Sequence, residues 1–167
     1  MTLCLAGADE KQASQYWVEN HFRLIVWKLG SLERYFPTIF GGKKLTVENT
    51  LAQLKYRYER EINQAHRSAL KKILEKDEVS TKFLVLCITR IISYGSDETP
   101  LTADDATIAN NANGAIVEVT DGWYCMNAVL DMHLTKYLIM GRIFPGQKLR
   151  IFGAEVTPMG ITLLIYV

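Results

Sequence analysis

The chain has 167 residues, of which 49% are hydrophobic, and its formal net charge is +1. A chain of this length and composition can bury a sizeable core, as one large domain or as two small ones. The near-neutral balance implies no general attraction to nucleic acid or membranes, and the longest apolar runs are far too short to span a bilayer. Residues 1–81 carry a net charge of +3 and residues 82–167 carry −2, which predicts two parts with different partners or with a mutual interface.

Residues 10–36 are predicted to form the first helix. Apolar or aromatic side chains recur there mostly at three- and four-residue steps, as a helix with a wide buried face requires. They occupy positions 13, 17, 24, 25, 29, 32 and 36. Pro37 ends this helix, because the residue before a proline disfavours the helical conformation.

A long second helix is predicted to begin after Thr46, a residue type that suits the N-cap position. Eight apolar side chains follow it as one unbroken stripe of roughly seven turns. They are Val47, Leu51, Leu54, Tyr58, Ile62, Ala65, Ala69 and Ile73. We therefore expect one continuous helix with a buried face along its whole length.

Beyond residue 81 the apolar pattern becomes typical of strands. The predicted elements are a strand at 82–93, a loop at 94–113, a hairpin at 117–131, a helix at about 132–140, and strands at 148–156 and 160–167. Five strands with one helix between the third and the fourth is the order of an OB-fold barrel. The last strand-like run reaches Val167, the end of the chain, which suggests a fragment of a longer protein.

The predicted fold class is therefore α+β, with a helical segment packed against a five-stranded OB-fold β-barrel. We expect a helical domain at residues 1–80 and the OB-fold at residues 81–167.

The hairpin motif VEVTDGWYCMNAVLD raises the question of how its tryptophan is covered. A two-residue Asp-Gly turn would pair Thr120 with Trp123 and Val119 with Tyr124. Trp123 would then share the polar face of the hairpin with a carboxylate. Three interpretations are open: docking against the helical part, which the opposite charges favour, stacking on a nucleic-acid base, and contact with an external partner.

No sequence motif indicates catalysis or a cofactor. His21, His66 and His133 lack HExxH or CxxC companions, so no metal site is expected, and we interpret them as surface or half-buried helix residues. The three cysteines are far apart and form no CxxC pair, which indicates reduced thiols in an intracellular protein. We predict that the chain is not an enzyme and holds no cofactor.

The second helix carries an excess of basic residues between positions 55 and 72. Lys55, Arg57, Arg60 and Arg67, with Tyr58 among them, can form a surface for an acidic partner, because arginines pair with carboxylates and tyrosine adds aromatic packing. Two alternatives remain: a solvated face stabilised by local ion pairs, and a surface for a phosphate backbone.

Trp17 and Trp27 on the first helix form a second candidate partner site. Ten positions separate them, so they lie about 80° apart around the helix axis. Core packing is one interpretation, because large aromatic residues dominate cores. A hydrophobic groove for a partner peptide is the other.

Five segments together resemble the DNA-binding region of the breast cancer type two susceptibility protein family. They are WVENHFRLIVWKL (17–29), LAQLKYRYEREINQAHRSALKKILEKD (51–77), VLCITRIIS (85–93), VEVTDGWYCMNAVLD (117–131) and GQKLRIFGAEV (146–156). The resemblance covers the end of that family's helical domain and its first OB-fold, from about Gly7 onward.

The resemblance implies a nuclear, non-catalytic protein of homologous recombination that helps to load a RecA-like recombinase onto single-stranded DNA at double-strand breaks. In this family the helical domain and the first OB-fold bind a small, highly acidic protein shared with the proteasome lid. The principal contacts to single-stranded DNA lie in later OB-folds, and recombinase binding lies in repeats outside the matched segments. The alternative function is a direct single-stranded DNA-binding OB module.

Two segments carry the site residues that the resemblance implies. TDGWY at 120–124 corresponds to the junction of helical domain and barrel, and LKYRYERE at 54–61 corresponds to the helix that organises this junction and the acidic partner. The predicted junction or DNA-stacking residues are Thr120, Asp121, Trp123 and Tyr124. The predicted partner-binding residues are Trp17, Trp27, Lys55, Arg57, Tyr58, Arg60 and Arg67.

Overall fold

The computed structural model of the protein describes residues 12–94, 114–157 and 160–163. The chain divides into two compact units, one up to Ser68 and one from Ala69 onward, which we call the helical unit and the sheet unit. The presence of helices and of a sheet confirms the predicted α+β class. Nearly all of the predicted loop at 94–113 lies outside the described residues.

From residue 12 onward, where the structure describes it, the helical unit contains three α-helices followed by a π-helical turn. They are α1 (Gln15–Tyr35), α2 (Pro37–Phe40), α3 (Val47–Tyr58) and the π turn (Glu59–Asn63). α1 begins where the side chain of Ser14 accepts the N–H of Trp17, and α3 begins where Thr46 accepts the N–H of Asn49. Both are side-chain N-caps, which satisfy N–H groups that the first helical turn leaves unpaired.

The predicted seven-turn helix is wrong beyond Tyr58. The chain widens into the π turn, leaves the helix at Gln64 and passes through Ala65 at a φ of 52°. The N–H of His66 donates to the carbonyl of Arg60 at 2.9 Å. Helix resumes only at Ala69, because a residue in the left-handed region cannot continue a right-handed helix.

The buried face of α3 also differs from the predicted apolar stripe. Val47, the first member of the stripe, is 83% exposed. The buried residues of α3 and the π turn are Thr50, Leu54, Arg57 and Glu61, and among them only Leu54 belongs to the stripe and is buried as predicted. Their steps of four, three and four are as helical as those of the stripe, so periodicity alone could not separate the two faces.

The sheet unit begins with a short helix, and its described residues form six strands. Its elements are α4 (Ala69–Leu74), β1 (Leu84–Ser93), β2 (Ile116–Thr120), β3 (Cys125–Leu130), α5 (Met132–Ile139), β4 (Lys148–Ile151), β5 (Glu155–Thr157) and β6 (Gly160–Leu163). The strands form one sheet in the order β4-β1-β2-β3-β6-β5. β3 and β6 are parallel, and the other neighbours are antiparallel.

A closed five-stranded barrel is not confirmed, because the described residues form an open sheet whose end strands are β4 and β5. The strand predicted at 148–156 is interrupted between these two. Gly153 has a φ of 73°, outside the strand region, and its N–H donates to the carbonyl of Thr81. Ser80 donates through Oγ to the carbonyl of Ala154 at 2.6 Å. These two hydrogen bonds to the segment before β1 thus stabilise the interruption between β4 and β5.

The hairpin of β2 and β3 has a longer turn than the predicted two residues. Thr120 is opposite Cys125 and Val119 is opposite Met126, so the predicted pairs Thr120 with Trp123 and Val119 with Tyr124 are wrong by two positions. Such an even shift keeps every paired residue on its predicted face, because side chains alternate with period two. Trp123 lies in the turn and outside the alternating pattern.

The sheet unit has an apolar core that extends into α4. Val117, Val119 and Ala128 are fully buried on the inner face of the hairpin, as predicted. Leu70 and Ile73 of α4 belong to the same core cluster. The division between the units therefore falls before α4, whereas the sequence pattern placed it between residues 80 and 81.

Candidate binding site

A polar network occupies the interior of the helical unit. Arg57 Nη1 lies 2.9 Å from His21 Nδ1, and His21 Nε2 lies 3.1 Å from Glu61 Oε2. The same oxygen of Glu61 accepts from Nε1 of Trp17 at 3.2 Å. All four residues are buried. We call them the Arg57–Glu61 network.

The protonation pattern of the network follows from its donors and acceptors. A guanidinium group can only donate, so Nδ1 of His21 must accept from Arg57. Nε2 then carries the proton and donates to Glu61. A neutral His21 in this tautomer therefore connects a buried cation to a buried carboxylate, which is how buried charges are tolerated.

The network joins α1 to α3 and the π turn. Trp17 and His21 lie on α1, whereas Arg57 and Glu61 lie on α3 and the π turn. Around them pack apolar residues of both helices, the cluster of Trp17, Ile25, Leu29 and Leu54. Tyr58 meets the ring of Trp17 edge to face, with centroids 6.1 Å apart. Fixed side chains of this kind give the helical unit one defined surface.

The predicted partner-binding residues fall into two groups. Lys55 and Arg67 are exposed, and Trp27 is 38% exposed, so these three are accessible. Arg57 and Trp17 are buried, with exposures of 5% and 6%. The expectation that Arg57 lies on a solvent-facing basic surface is therefore wrong, because its guanidinium is engaged inside the helical unit.

Arg60 and Tyr58 are partly buried. Arg60 donates to Oε1 of Gln64 at 3.1 Å. Its Nε is buried and has no hydrogen-bond partner among the residues that the structure describes. This atom is shielded from solvent, so the unsatisfied donor is not accessible to a partner.

The predicted junction residues are brought together by Asp121. Its Oδ2 accepts the N–H of Leu70 at 2.9 Å, and its Oδ1 accepts the N–H groups of Trp123 and Tyr124 at 2.9 and 3.0 Å. Thr120 stabilises the same turn, because its hydroxyl donates to the carbonyl of Tyr124 at 2.6 Å. These bonds replace the predicted two-residue turn and fix α4 to the hairpin.

Trp123 is half-buried and packs against the core cluster of the sheet unit itself. Tyr124 is buried, and Lys71 of α4 lies 5.3 Å from the centroid of its ring. The cover of Trp123 thus includes the core of its own unit, which the sequence interpretation did not consider.

The described residues contain no group of three or more His, Cys, Asp or Glu that could hold a metal ion. Within the same part of the chain, no helix is both long and apolar enough to cross a membrane. Neither Cys87 nor Cys125 forms a disulfide with another described residue. Burial raises the pKa of the Cys87 thiol, and nearby Lys148 only partly opposes this shift, so its nucleophilic thiolate form is disfavoured.

Sequence reasoning missed His21 and Glu61 as members of a site. His21 was interpreted as a surface or half-buried residue but is fully buried, whereas His66 and His133 are exposed. A usable signal was present in the spacing. His21 lies four residues after Trp17, and Glu61 lies four residues after Arg57. Each pair therefore lies on one face of its helix, at the spacing that is typical of buried residues.

Comparison with known proteins gives matches along nearly the whole chain. A family model described as BRCA2, helical, matches residues 2–65, and one described as BRCA2, oligonucleotide/oligosaccharide-binding, domain 1, matches residues 68–162. Two proteins of Arabidopsis thaliana, BREAST CANCER SUSCEPTIBILITY 2 homolog B and homolog A, are each 47% identical to the chain over 155 residues. Each alignment covers 93% of this chain and 13% of the relative.

Proposed function

Because this chain belongs to the BRCA2 family, we propose that it acts as a non-catalytic binding scaffold in homologous recombination and the repair of DNA double-strand breaks. The observation that carries the proposal is the consecutive match of both family models, helical and then oligonucleotide-binding, to the two structural units. A nuclear location and support for recombinase loading on single-stranded DNA follow from the family resemblance. The chain spans 13% of the relatives' length, so activities of the whole protein enter as part of this proposal.

The partner that we propose for the helical unit is the small, highly acidic protein shared with the proteasome lid. Lys55 and Arg67 are exposed, and Arg60 is partly exposed. Carboxylates of an acidic chain would pair with these cations. The Arg57–Glu61 network supports this role indirectly, because it holds the helix that carries Lys55 and Arg60 in one position.

Charge reversal tests this proposal. The chain is titrated calorimetrically with a synthetic peptide rich in Asp and Glu, before and after the combined substitutions Lys55→Glu, Arg60→Glu and Arg67→Glu. We expect at least a tenfold loss of affinity, about 1.4 kcal/mol. The combined substitutions Lys28→Glu, Arg34→Glu and Lys43→Glu are the matched control, because these residues are also exposed in the helical unit and the change in net charge is the same. Equal losses in both proteins would mean that only overall charge matters, which would contradict a defined surface.

The alternative function is direct binding of single-stranded DNA, which is favoured by the match of residues 68–162 to the family model described as oligonucleotide/oligosaccharide-binding, domain 1. The sheet unit has nine Lys and Arg against eleven Asp and Glu in its sequence, so its net charge of −2 opposes this function. Salt dependence separates the two functions, since a groove that contacts several phosphates loses affinity steeply as salt rises. Submicromolar binding of a short oligonucleotide in moderate salt, without an acidic partner, would favour the alternative.

A further inference from the structure

The Arg57–Glu61 network is built around a fully buried histidine with a charged side chain at each ring nitrogen. Nδ1 of His21 lies 2.9 Å from Nη1 of Arg57, and Nε2 lies 3.1 Å from Oε2 of Glu61. Histidine is the side chain whose ordinary titration changes its charge between pH 5 and 8. The centre of the helical unit therefore contains the residue type that responds first to mild acidification.

A second proton on His21 can bind only at Nδ1, because Nε2 already carries one. Nδ1 is the acceptor for Arg57, so its protonation removes this acceptor and places two donors face to face. It also places an imidazolium next to a guanidinium. Two like charges repel more strongly inside a protein than in water, because the effective dielectric constant is lower. The contact between His21 and Arg57 therefore cannot persist in the protonated state.

Glu61 opposes this effect, because its carboxylate attracts an imidazolium. The hydrogen bond from Nε2 of His21 to Glu61 is present in both protonation states, however, so protonation creates no new bond there. The same oxygen of Glu61 also accepts from Nε1 of Trp17 at 3.2 Å. Full burial of the ring adds to the cost of the charged form. The packed helical unit therefore favours neutral His21.

The bonds of His21 run between separate elements of the helical unit. Among the described residues, the ring faces Trp17 from α1, Arg57 from α3 and Glu61 from the π turn. The ring centroids of His21 and Trp17 are 4.2 Å apart, and Tyr58 of α3 packs edge-on against the other ring of this pair. Loss of the bond to Arg57 therefore acts directly on the contact of α1 with α3.

We propose that the Arg57–Glu61 network is a proton-sensitive contact that loosens α1 from α3 and the π turn when His21 is protonated. In an unfolded chain, histidine takes up a proton with a pKa of about 6.5. The folded helical unit resists the same proton. Its stability is therefore fully present above about pH 6.5 and is lost as the pH falls below this value. The sheet unit has one histidine, the exposed His133, and should not follow this dependence.

The test measures hydrogen exchange of the whole chain by mass spectrometry between about pH 7.5 and 5.5, with rates corrected for the intrinsic effect of pH. Exchange from locally opened states reports the stability of each segment separately. One excluded proton reduces the folded fraction by up to about tenfold per pH unit. We expect protection in peptides from α1 and α3 to fall about tenfold between pH 6.5 and 5.5, while peptides from β2 and β3 keep theirs.

Two histidine variants assign the effect. In His21→Gln, the amide retains an acceptor for Arg57 and a donor for Glu61 but does not titrate. We expect protection of α1 and α3 in this variant to be independent of pH over the same range. His66→Gln is the matched control, because His66 is also in the helical unit but is exposed. It should keep the tenfold fall of the unaltered chain.

A measurement on the unaltered chain keeps the proposal testable if His21→Gln does not fold. Two-bond proton–nitrogen correlation spectra distinguish the two neutral tautomers of an imidazole from the imidazolium. We expect His21 to carry its proton on Nε2 at about pH 7.5, because Nδ1 accepts from Arg57. An Nδ1–H tautomer or an imidazolium at this pH would contradict the network on which the proposal depends.

Three exchange results would also overturn the proposal. The first is a tenfold fall that persists in His21→Gln, which would assign the titration to another group such as the Glu61 carboxylate. The second is a fall that His66→Gln abolishes. The third is equal loss of protection in the helical and sheet units, which would indicate general unfolding. No partner is present in these measurements, so their outcome is independent of acidic-peptide binding by the helical unit.

Discussion

The two units of this chain are stabilised by different chemistry at their centres. The helical unit encloses an arginine, a histidine and a glutamate that bond to one another and to Trp17. The inner face of the sheet unit is apolar, and its buried carboxylate, Glu118, lies on the other face of β2, where it accepts from the hydroxyl of Thr89 at 2.6 Å and pairs with Arg90 at 3.4 Å. Both arrangements satisfy buried polar groups, but the loss of one polar side chain is expected to reduce the stability of the two units by different amounts.

A buried charged network depends on every member. Removing one partner leaves an uncompensated charge inside the protein, which costs more than the net stabilisation that the intact pair supplies. An apolar core loses stability roughly in proportion to the volume removed. The helical unit should therefore be more sensitive to single polar substitutions than the sheet unit.

The largest effect is expected from Glu61→Ala. This change removes the acceptor for both His21 and Trp17 and leaves the charge of Arg57 buried without its counter-ion. We expect the free energy of unfolding to fall by about 3–5 kcal/mol. Urea denaturation followed by circular dichroism measures it.

Glu59→Ala is the matched control for this prediction. Glu59 lies in the same π turn but is exposed, where it accepts from the side chains of Asn63 and Gln64. Its replacement should change stability by about 0.5 kcal/mol or less. If the two variants unfolded at the same urea concentration, the buried network would not be what stabilises the helical unit.

A smaller effect is expected from Asp121→Ala in the sheet unit. One carboxylate there accepts three backbone N–H groups, those of Leu70, Trp123 and Tyr124. We expect a loss of about 2–3 kcal/mol, because these groups are only partly buried and water can replace some of the bonds. Thermal denaturation of the purified variant measures the loss.

Asp131→Ala sharpens this result, because Asp131 is an N-cap whose carboxylate accepts the N–H of Leu134 at 2.7 Å. Its loss should cost about 1 kcal/mol. A cost at Asp121 no larger than the cost at Asp131 would show that the turn does not depend on the shared carboxylate.

The smallest effect concerns Glu33, which binds the loop after α2. The N–H groups of Leu45 and Lys44 hydrogen-bond to its carboxylate and lower the pKa of Glu33 below its ordinary value of 4.5. A lowered pKa in the folded state means that the stabilisation is present above the ordinary pKa and is lost as pH falls through the folded-state pKa. The stability difference between the unaltered chain and Glu33→Gln should therefore shrink as pH is lowered from 6 to about 3 in thermal denaturation. A constant difference across that range would exclude this role.

Features that depend on neighbouring residues were predicted well from the sequence. Thr46 caps α3 as expected, and α1 ends before Pro37. The face assignment of the hairpin is correct for Val117, Val119 and Ala128 even though the register is wrong. In each case local backbone preferences or side-chain alternation decide the outcome.

Features that depend on distant residues were predicted poorly. Arg57 matched a surface pattern, yet the ring of His21, 36 positions earlier, makes its burial favourable. The turn at Asp121 matched a two-residue signal, but the N–H of Leu70 and the hydroxyl of Thr120 favour a longer turn. In both cases the deciding contact comes from a residue that is distant in the sequence, so the local sequence pattern does not contain it.

The sequence by itself determined where most helices and strands begin, which face of the hairpin is apolar, and which family the chain resembles, because these depend on residue order and local chemistry. Only the tertiary structure decided that the predicted second helix is interrupted, with Ala65 in the left-handed region. The same holds for the charged network inside the helical unit and for the stacking of Phe83 on Phe152 at the surface. The physical reason is that burial makes a polar group favourable or costly according to the partners it meets, and those partners are brought together only by folding.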